Sequence, residues 1–188
     1  MMAPRKASLL AAPLDRIVFA PHQAMLPLRQ LIPPLTMRLP DGRIIRAWDF
    51  KQKKSLVVAF LDTDCDSCAE FLQRMAAQAD EFRANSAVLL AAFLEAPPEK
   101  LTNRLPEGVF AGSDPSGHAA RAFLGNDLLS PHGLANPAVF VADRYGELAA
   151  QWLVAQHAFP AVGEIFASVH QLEIACEECT SPLWQSEG

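Results

Sequence analysis

Two unbroken apolar runs dominate the hydrophobic pattern of this chain, Ser55–Leu61 (SLVVAFL) and Ala87–Leu94 (AVLLAAFL). Each is strand-sized, and a continuous run of β-branched and apolar residues marks a strand buried on both faces. Neither approaches the 18 or more residues of a membrane-spanning helix. Between the runs the period changes. Cys68, Phe71, Leu72, Met75, Ala79 and Phe82 recur mostly at three- and four-residue steps, which predicts an amphipathic helix over Asp66–Phe82. Asp62, Thr63 and Asp64 are its N-cap candidates.

Beyond the second run, Pro97-Pro98 opens a short helix through Leu101, and Val109–Ala111 reads as a short strand. Ser113-Asp114-Pro115 starts a helix that stops at Gly125-Asn126, with proline at the first helical position. After a loop over Leu128–Asn136, two strands, Ala138–Ala142 and Leu148–Val154, flank the turn Asp143-Arg144-Tyr145-Gly146. A last helix from Pro160 carries Val162, Ile165, Phe166, Val169 and Leu172 on one face. At the other end, residues 1–38 are proline-rich and lack sustained periodicity, so they read as an irregular arm with a short helix at Gln23–Leu31. Pro40-Asp41-Gly42 then turns into a short strand, Ile44–Trp48.

Buried strands alternating with helices imply a parallel sheet, and the tight final hairpin requires an antiparallel pair. The expected fold is therefore α/β, a mixed central sheet flanked by helices. The expected division is an arm over 1–38, one domain over 39–175 and a tail over 176–188. A length of 188 residues suits one substantial domain.

Net charge of −5 argues against a nucleic-acid footprint, which needs a clustered basic excess. At the N-terminus Arg5 and Lys6 precede a short apolar segment that Pro13 interrupts and Asp15 closes, a poor secretory signal. These features lead us to expect a cytoplasmic protein without a membrane partner; export is the alternative.

Four cysteines occur, all in two CxxC pairs, Cys65–Cys68 and Cys176–Cys179. That spacing points to redox chemistry or metal rather than to a stapled secreted scaffold. Cys65 follows a buried strand and precedes a helix, where orphan N–H groups and the positive end of the macrodipole favour a thiolate. Cys68 falls one turn along the same helix face and can close a small disulfide, so Cys65 would attack and Cys68 resolve. Asp62, Asp64 and Asp66 oppose this, because like charge disfavours the thiolate.

The segment VVAFLDTDCDSCAEF resembles the active-site segment of the thioredoxin-like superfamily, in its redoxin or peroxiredoxin-like branch, where a core strand delivers CxxC onto a helix. The stretch from Ala135 to Glu147 resembles that family's cis-proline strand and hairpin. Ser113–Gly125 is similar to a helix of redoxin-type members, and Leu39–Gly42 with its strand to their N-terminal hairpin. The resemblance implies a thioredoxin-like fold and a thiol–disulfide oxidoreductase with no organic cofactor; the alternatives are a thiol peroxidase and a non-catalytic binding or structural module with a Cys₄ metal clip. It also implies that Pro137 is cis and, with Asn136, shapes a substrate-docking groove. Expected partners are a disulfide-bearing protein or small molecule and an external thiol reductant. The arm could cover the site or support a homodimer.

The chain departs from the family pattern at several positions. Ser67 stands where many members have proline, Asp64 where an aromatic is usual, and Ala59 where thioredoxin proper has a core carboxylate. Glu95 is a candidate substitute, against the plainer reading of a solvated loop carboxylate. The peroxidase pattern needs threonine or serine three residues before its cysteine and proline four before that. Those positions are Asp62 and Val58 for Cys65, and Cys65 and Leu61 for Cys68, so neither thiol fits.

For Cys176 and Cys179 three readings stand open: a core-packed cysteine, an auxiliary redox dithiol, or a Cys₄ zinc site with the first pair. We expect no metal, since the two pairs lie far outside zinc-ribbon spacing. Glu177 and Glu178 make this the less reactive pair. The five histidines, His22, His118, His132, His157 and His170, show no metal-ligand spacing among themselves.

Overall fold

The computed structural model describes residues 26–125, 129–130, 133–134, 136–155 and 158–174. Its strands are β1 Thr36–Arg38, β2 Ile44–Arg46, β3 Ser55–Leu61, β4 Ala87–Phe93, β5 Val109–Ser113, β6 Leu129–Ser130, β7 Gly133–Leu134, β8 Ala138–Ala142 and β9 Leu148–Leu153. Its helices are α1 Asp66–Ala77, α2 Ala79–Ala84, α3 Glu99–Thr102, α4 His118–Leu124 and α5 Val162–Ile174, with a 3-10 turn at Ala47–Phe50. No described helix is long and apolar enough to cross a membrane.

Seven strands form one sheet in the order β2-β1-β5-β4-β3-β8-β9, and β6 and β7 form a separate small hairpin. β3, β4 and β5 are parallel, while β8 and β9 run antiparallel, as the alternation of runs and the tight hairpin predict. β3 is an interior strand between β4 and β8, and all seven of its residues are buried. Its alternate side chains feed two cores. Val57, Ala59 and Leu61 face α1, α2 and α5, whereas Leu56, Val58 and Phe60 face the N-terminal hairpin and α4. On the second face Phe60, Phe123 and Phe140 form a closed aromatic triad with centroids 5.1–6.1 Å apart. The edge-to-face and tilted arrangements suit the ring quadrupoles.

Both predicted turns form. Gly42 and Gly146 take φ of 86° and 89°, which an L side chain rarely adopts. At the second turn Asp143 Oδ1 accepts the N–H groups of Tyr145 and Glu147. At the first, the backbone N–H and guanidinium of Arg43 hold the exposed Asp41 carboxyl below its ordinary range.

Several expectations need correction. β1 lies within the stretch read as an irregular arm, and it joins the sheet between β2 and β5. Leu35, Met37 and Leu39 are buried while Thr36 and Arg38 are exposed, a period of two that Pro33 and Pro34 truncate on one side. The described part of the predicted Gln23–Leu31 helix is not helical. Instead Arg29, Gln30 and Ile32 exchange backbone hydrogen bonds with Gly146 and Leu148 at the foot of the β8–β9 hairpin.

The single helix predicted over Asp66–Phe82 breaks at Gln78, whose φ and ψ of −108° and 17° are not helical. Beyond the break Phe82 packs edge-on to Phe166 of α5 at 5.7 Å. α4 begins later than expected, because Gly117 is left-handed at φ 60° and serves as N-cap. Buried Asp114 accepts the Ala119 N–H at 2.8 Å from outside the helix.

Candidate active site

β3 and β4 end at the same pole of the sheet, and the chain leaves β3 through Asp62, Thr63 and Asp64. Asp62 turns this connection by accepting the Asp64 N–H at 3.2 Å, an Asx-type bond. None of the three predicted caps is used. Cys65 itself is the N-cap of α1, in extended conformation, and its sulfur accepts the Cys68 N–H at 3.1 Å. The sulfur thus satisfies one of the donors that a helix start leaves orphaned.

Cys65 and Cys68 form a disulfide with Cα atoms 5.2 Å apart. Each sulfur stands in for the thiol or thiolate that reduction would release. The two differ in access: Cys65 is half-buried, whereas Cys68 is 1% exposed and belongs to the core. Ser67 places its hydroxyl 3.2 Å from Cys65 Sγ. A disulfide sulfur carries no proton, so the hydroxyl is the donor. Sequence reasoning noted Ser67 only as a departure from proline. The signal was its place at the second helical position, where a hydroxyl can reach back to the cap.

Asp64 and Asp66 are exposed, and no described cation pairs with Asp62, Asp64 or Asp66. Ala59 is fully buried in the same cluster as the dithiol, so the core strand offers no carboxylate there. Glu95 is exposed, in keeping with a solvated loop residue. Beneath the site Phe71 of α1 stacks on Phe159 with centroids 4.3 Å apart, fixing the helix against the segment before α5.

The β3–β8 ladder pairs Phe60 with Ala138, so Asn136 and Pro137 lie at the pole of the sheet that carries the dithiol. No peptide bond among the described residues is cis, and the Asn136–Pro137 bond is trans, contrary to the implied cis form. The Pro137 carbonyl accepts the Val154 N–H at 2.9 Å and extends the β8–β9 ladder by one step. A trans proline immediately before a strand needs no special tertiary support. Cys176, Cys179, His22, His132 and His157 lie outside the described residues. Among the described residues no cluster of three metal-ligating side chains occurs. His118 is exposed, and His170 bonds to Asn85.

A mixed sheet that sends a fully buried interior strand into a CxxC-capped helix defines a thioredoxin-like dithiol protein. The AhpC/TSA family profile matches residues 28–151. The chain belongs to the AhpC/TSA family, and its role is one of thiol redox chemistry.

Solved structures agree on the fold. Mycobacterium tuberculosis AhpC superposes with a TM-score of 0.65 at 16% identity, over 83% of this chain and 99% of that one. The reduced Plasmodium vivax 2-Cys peroxiredoxin gives 0.63 at 14% identity, over 76% and 79%. A Chlorobium tepidum protein described as thiol:disulfide interchange protein DsbE gives 0.59 at 18%, over 77% and 99%. No curated protein matches significantly in sequence.

Proposed function

We propose that the chain is a thiol–disulfide oxidoreductase working through Cys65 and Cys68. The observation that carries this reading is the unequal pair itself, two sulfurs bonded across the first turn of α1 with only Cys65 accessible. In the reducing direction the Cys65 thiolate attacks one sulfur of a substrate disulfide. A Cys65–substrate disulfide forms, and the displaced substrate thiolate takes a proton from water. Cys68 then gives up its proton and attacks Cys65 Sγ. The intramolecular disulfide forms, the second substrate thiol leaves, and two electrons have passed to the substrate. The Cys68 N–H and the Ser67 hydroxyl both point at the sulfur on which negative charge resides before attack.

Asn136 and Pro137 border the docking surface in this reading, from the same pole of the sheet. Substrates are disulfide-bearing proteins or small molecules, and an external thiol system restores the dithiol. No organic cofactor takes part, the setting is cytoplasmic, and a homodimer is the assembly to test. Cys176–Cys179 would be an auxiliary dithiol.

The test is insulin-disulfide reduction, together with the Cys65–Cys68 reduction potential, in wild type and Cys65→Ser. Turnover that is lost in the variant supports the proposal; no turnover, or turnover indifferent to it, sinks it.

Membership of a family that includes AhpC favours one competing reading, a thiol peroxidase. Against it stands Asp62, three residues before Cys65, where a peroxidase carries a hydroxyl. Stopped-flow consumption of hydrogen peroxide decides between the two, since a fast Cys65-dependent rate establishes the peroxidase.

A further inference from the structure

At the pole of the sheet opposite the dithiol, the start of β3 and the β8–β9 turn border a groove of about 240 Å³. Its floor is apolar, from the buried Leu35, Ala47 and Leu56. Three of the six large hydrophobic residues exposed on the described surface line it, Leu31 at 73%, Trp48 at 70% and Tyr145 at 45%. That concentration in one place is what separates a docking surface from scattered exposed side chains.

The rim is cationic in a chain whose net charge is −5. Arg46, Lys51, Lys54 and Arg144 border the groove, and among its described lining residues Asp143 is the only carboxylate. Asp143 Oδ1 is engaged by two backbone N–H groups. Lys51 Nζ lies 3.9 Å above the Trp48 ring centroid. Charge therefore selects an acidic occupant with an apolar or aromatic portion.

α5 delivers such a segment to this pole. The helix packs across β3, β8 and β9, and it runs toward the start of β4, because His170 Nδ1 meets Asn85 Oδ1 at 2.8 Å. The next residue, Ser86, accepts the Ser55 N–H at 2.8 Å, and Ser55 adjoins Lys54 on the groove rim. From Ile174 onward the sequence reads ACEECTSPLWQSEG. It holds Glu177, Glu178 and Glu187, no lysine or arginine, and an apolar Pro182-Leu183-Trp184. Fully extended, these residues span up to about 50 Å, several times the roughly 10 Å between packed layers. The other flanking segment, residues 1–25, has the wrong charge, with Arg5, Lys6 and Arg16 against Asp15.

We propose that this groove is the docking site for the chain's own C-terminal segment, residues 175–188, with Leu183 and Trp184 on its apolar floor and the glutamates against its cationic rim. Docking there holds Cys176 and Cys179 at the pole away from Cys65. Cys176 stands two residues past Ile174, a reach of about 7 Å, whereas the strand between the poles is roughly 20 Å long.

Hydrogen exchange of the full chain, read by mass spectrometry, tests this. In Trp184→Ala the amides of residues 46–54 and 143–147 should exchange at least about fivefold faster, with those of β3 and α1 unchanged. Lys51→Glu with Lys54→Glu should produce the same loss of protection, and adding Glu177→Lys with Glu178→Lys should restore it. Groove amides that exchange equally in wild type and Trp184→Ala overturn the proposal. So does wild-type protection that disappears on tenfold dilution, because a second copy then fills the groove.

Discussion

The hydroxyl of Ser67 donates to the sulfur of Cys65 across 3.2 Å, from the second position of the helix that Cys65 caps. A hydrogen bond of this kind favours the charged form of its acceptor and so stabilises the reduced dithiol over the disulfide. Ser67→Ala should make the couple more reducing. Taking the bond as about 1 kcal/mol, the shift is roughly 20 mV for two electrons. Ser67→Thr should keep most of the wild-type value. Equilibration with glutathione buffers measures both variants, and an unchanged potential in Ser67→Ala would remove the hydroxyl from the account.

The contrast in burial between the two cysteines makes their single variants unequal. With Cys68 replaced by serine, attack at Cys65 should stall as a mixed disulfide, which intact mass reads as one substrate equivalent. Cys65→Ser should form no such adduct, since the remaining sulfur of this pair is 1% exposed. Performing both in a Cys176→Ser, Cys179→Ser background confines the assay to this dithiol. An adduct on Cys68 at the wild-type rate would reverse the assignment.

Gly112 and Gly163 should respond to alanine with opposite signs. A Cβ on Gly112 would stand 2.7 Å from the Arg38 carbonyl oxygen, backbone that cannot swing aside, where β5 meets β1. Gly112→Ala should destabilise the protein by about 1–3 kcal/mol, the range for overpacking. Gly163 near the start of α5 has nothing within 4 Å of a Cβ, so Gly163→Ala should gain about 0.5 kcal/mol through helix propensity and reduced unfolded-state entropy. Urea denaturation midpoints compare the two.

The parts of this fold that were legible in the sequence are those fixed by local pattern. The β3 run, the α1 stripe and the glycine of the β8–β9 turn each state their structure within a few residues. β1 was not legible, because its alternation runs only from Leu35 to Leu39, hemmed in by Pro33-Pro34 and Pro40, and its place comes from pairing with β2 and β5. The break at Gln78 likewise has no local marker. The hydrophobic stripe continues through it into Phe82, which packs on Phe166 of α5 beyond the break.

At the site, the CxxC and its place on a helix were readable, but the cap was not. Aspartate is the better N-cap by propensity, and two, Asp62 and Asp64, were on offer beside Thr63; the chain spends Asp62 on the preceding turn and leaves the sulfur as cap. The trans bond before Pro137 also lies beyond sequence reasoning. The residues around the proline resemble a motif that carries the cis form, while its own chemistry favours trans in the absence of a tertiary demand.

Because the Cys65 sulfur caps α1, the electron count of the dithiol is written into the backbone. Reduction turns a weak acceptor into an anionic one and tightens the bond from the Cys68 amide. The proton resonance of that one amide is therefore an internal gauge: titrated against a redox buffer, it reports the state of the couple without any dye or thiol reagent.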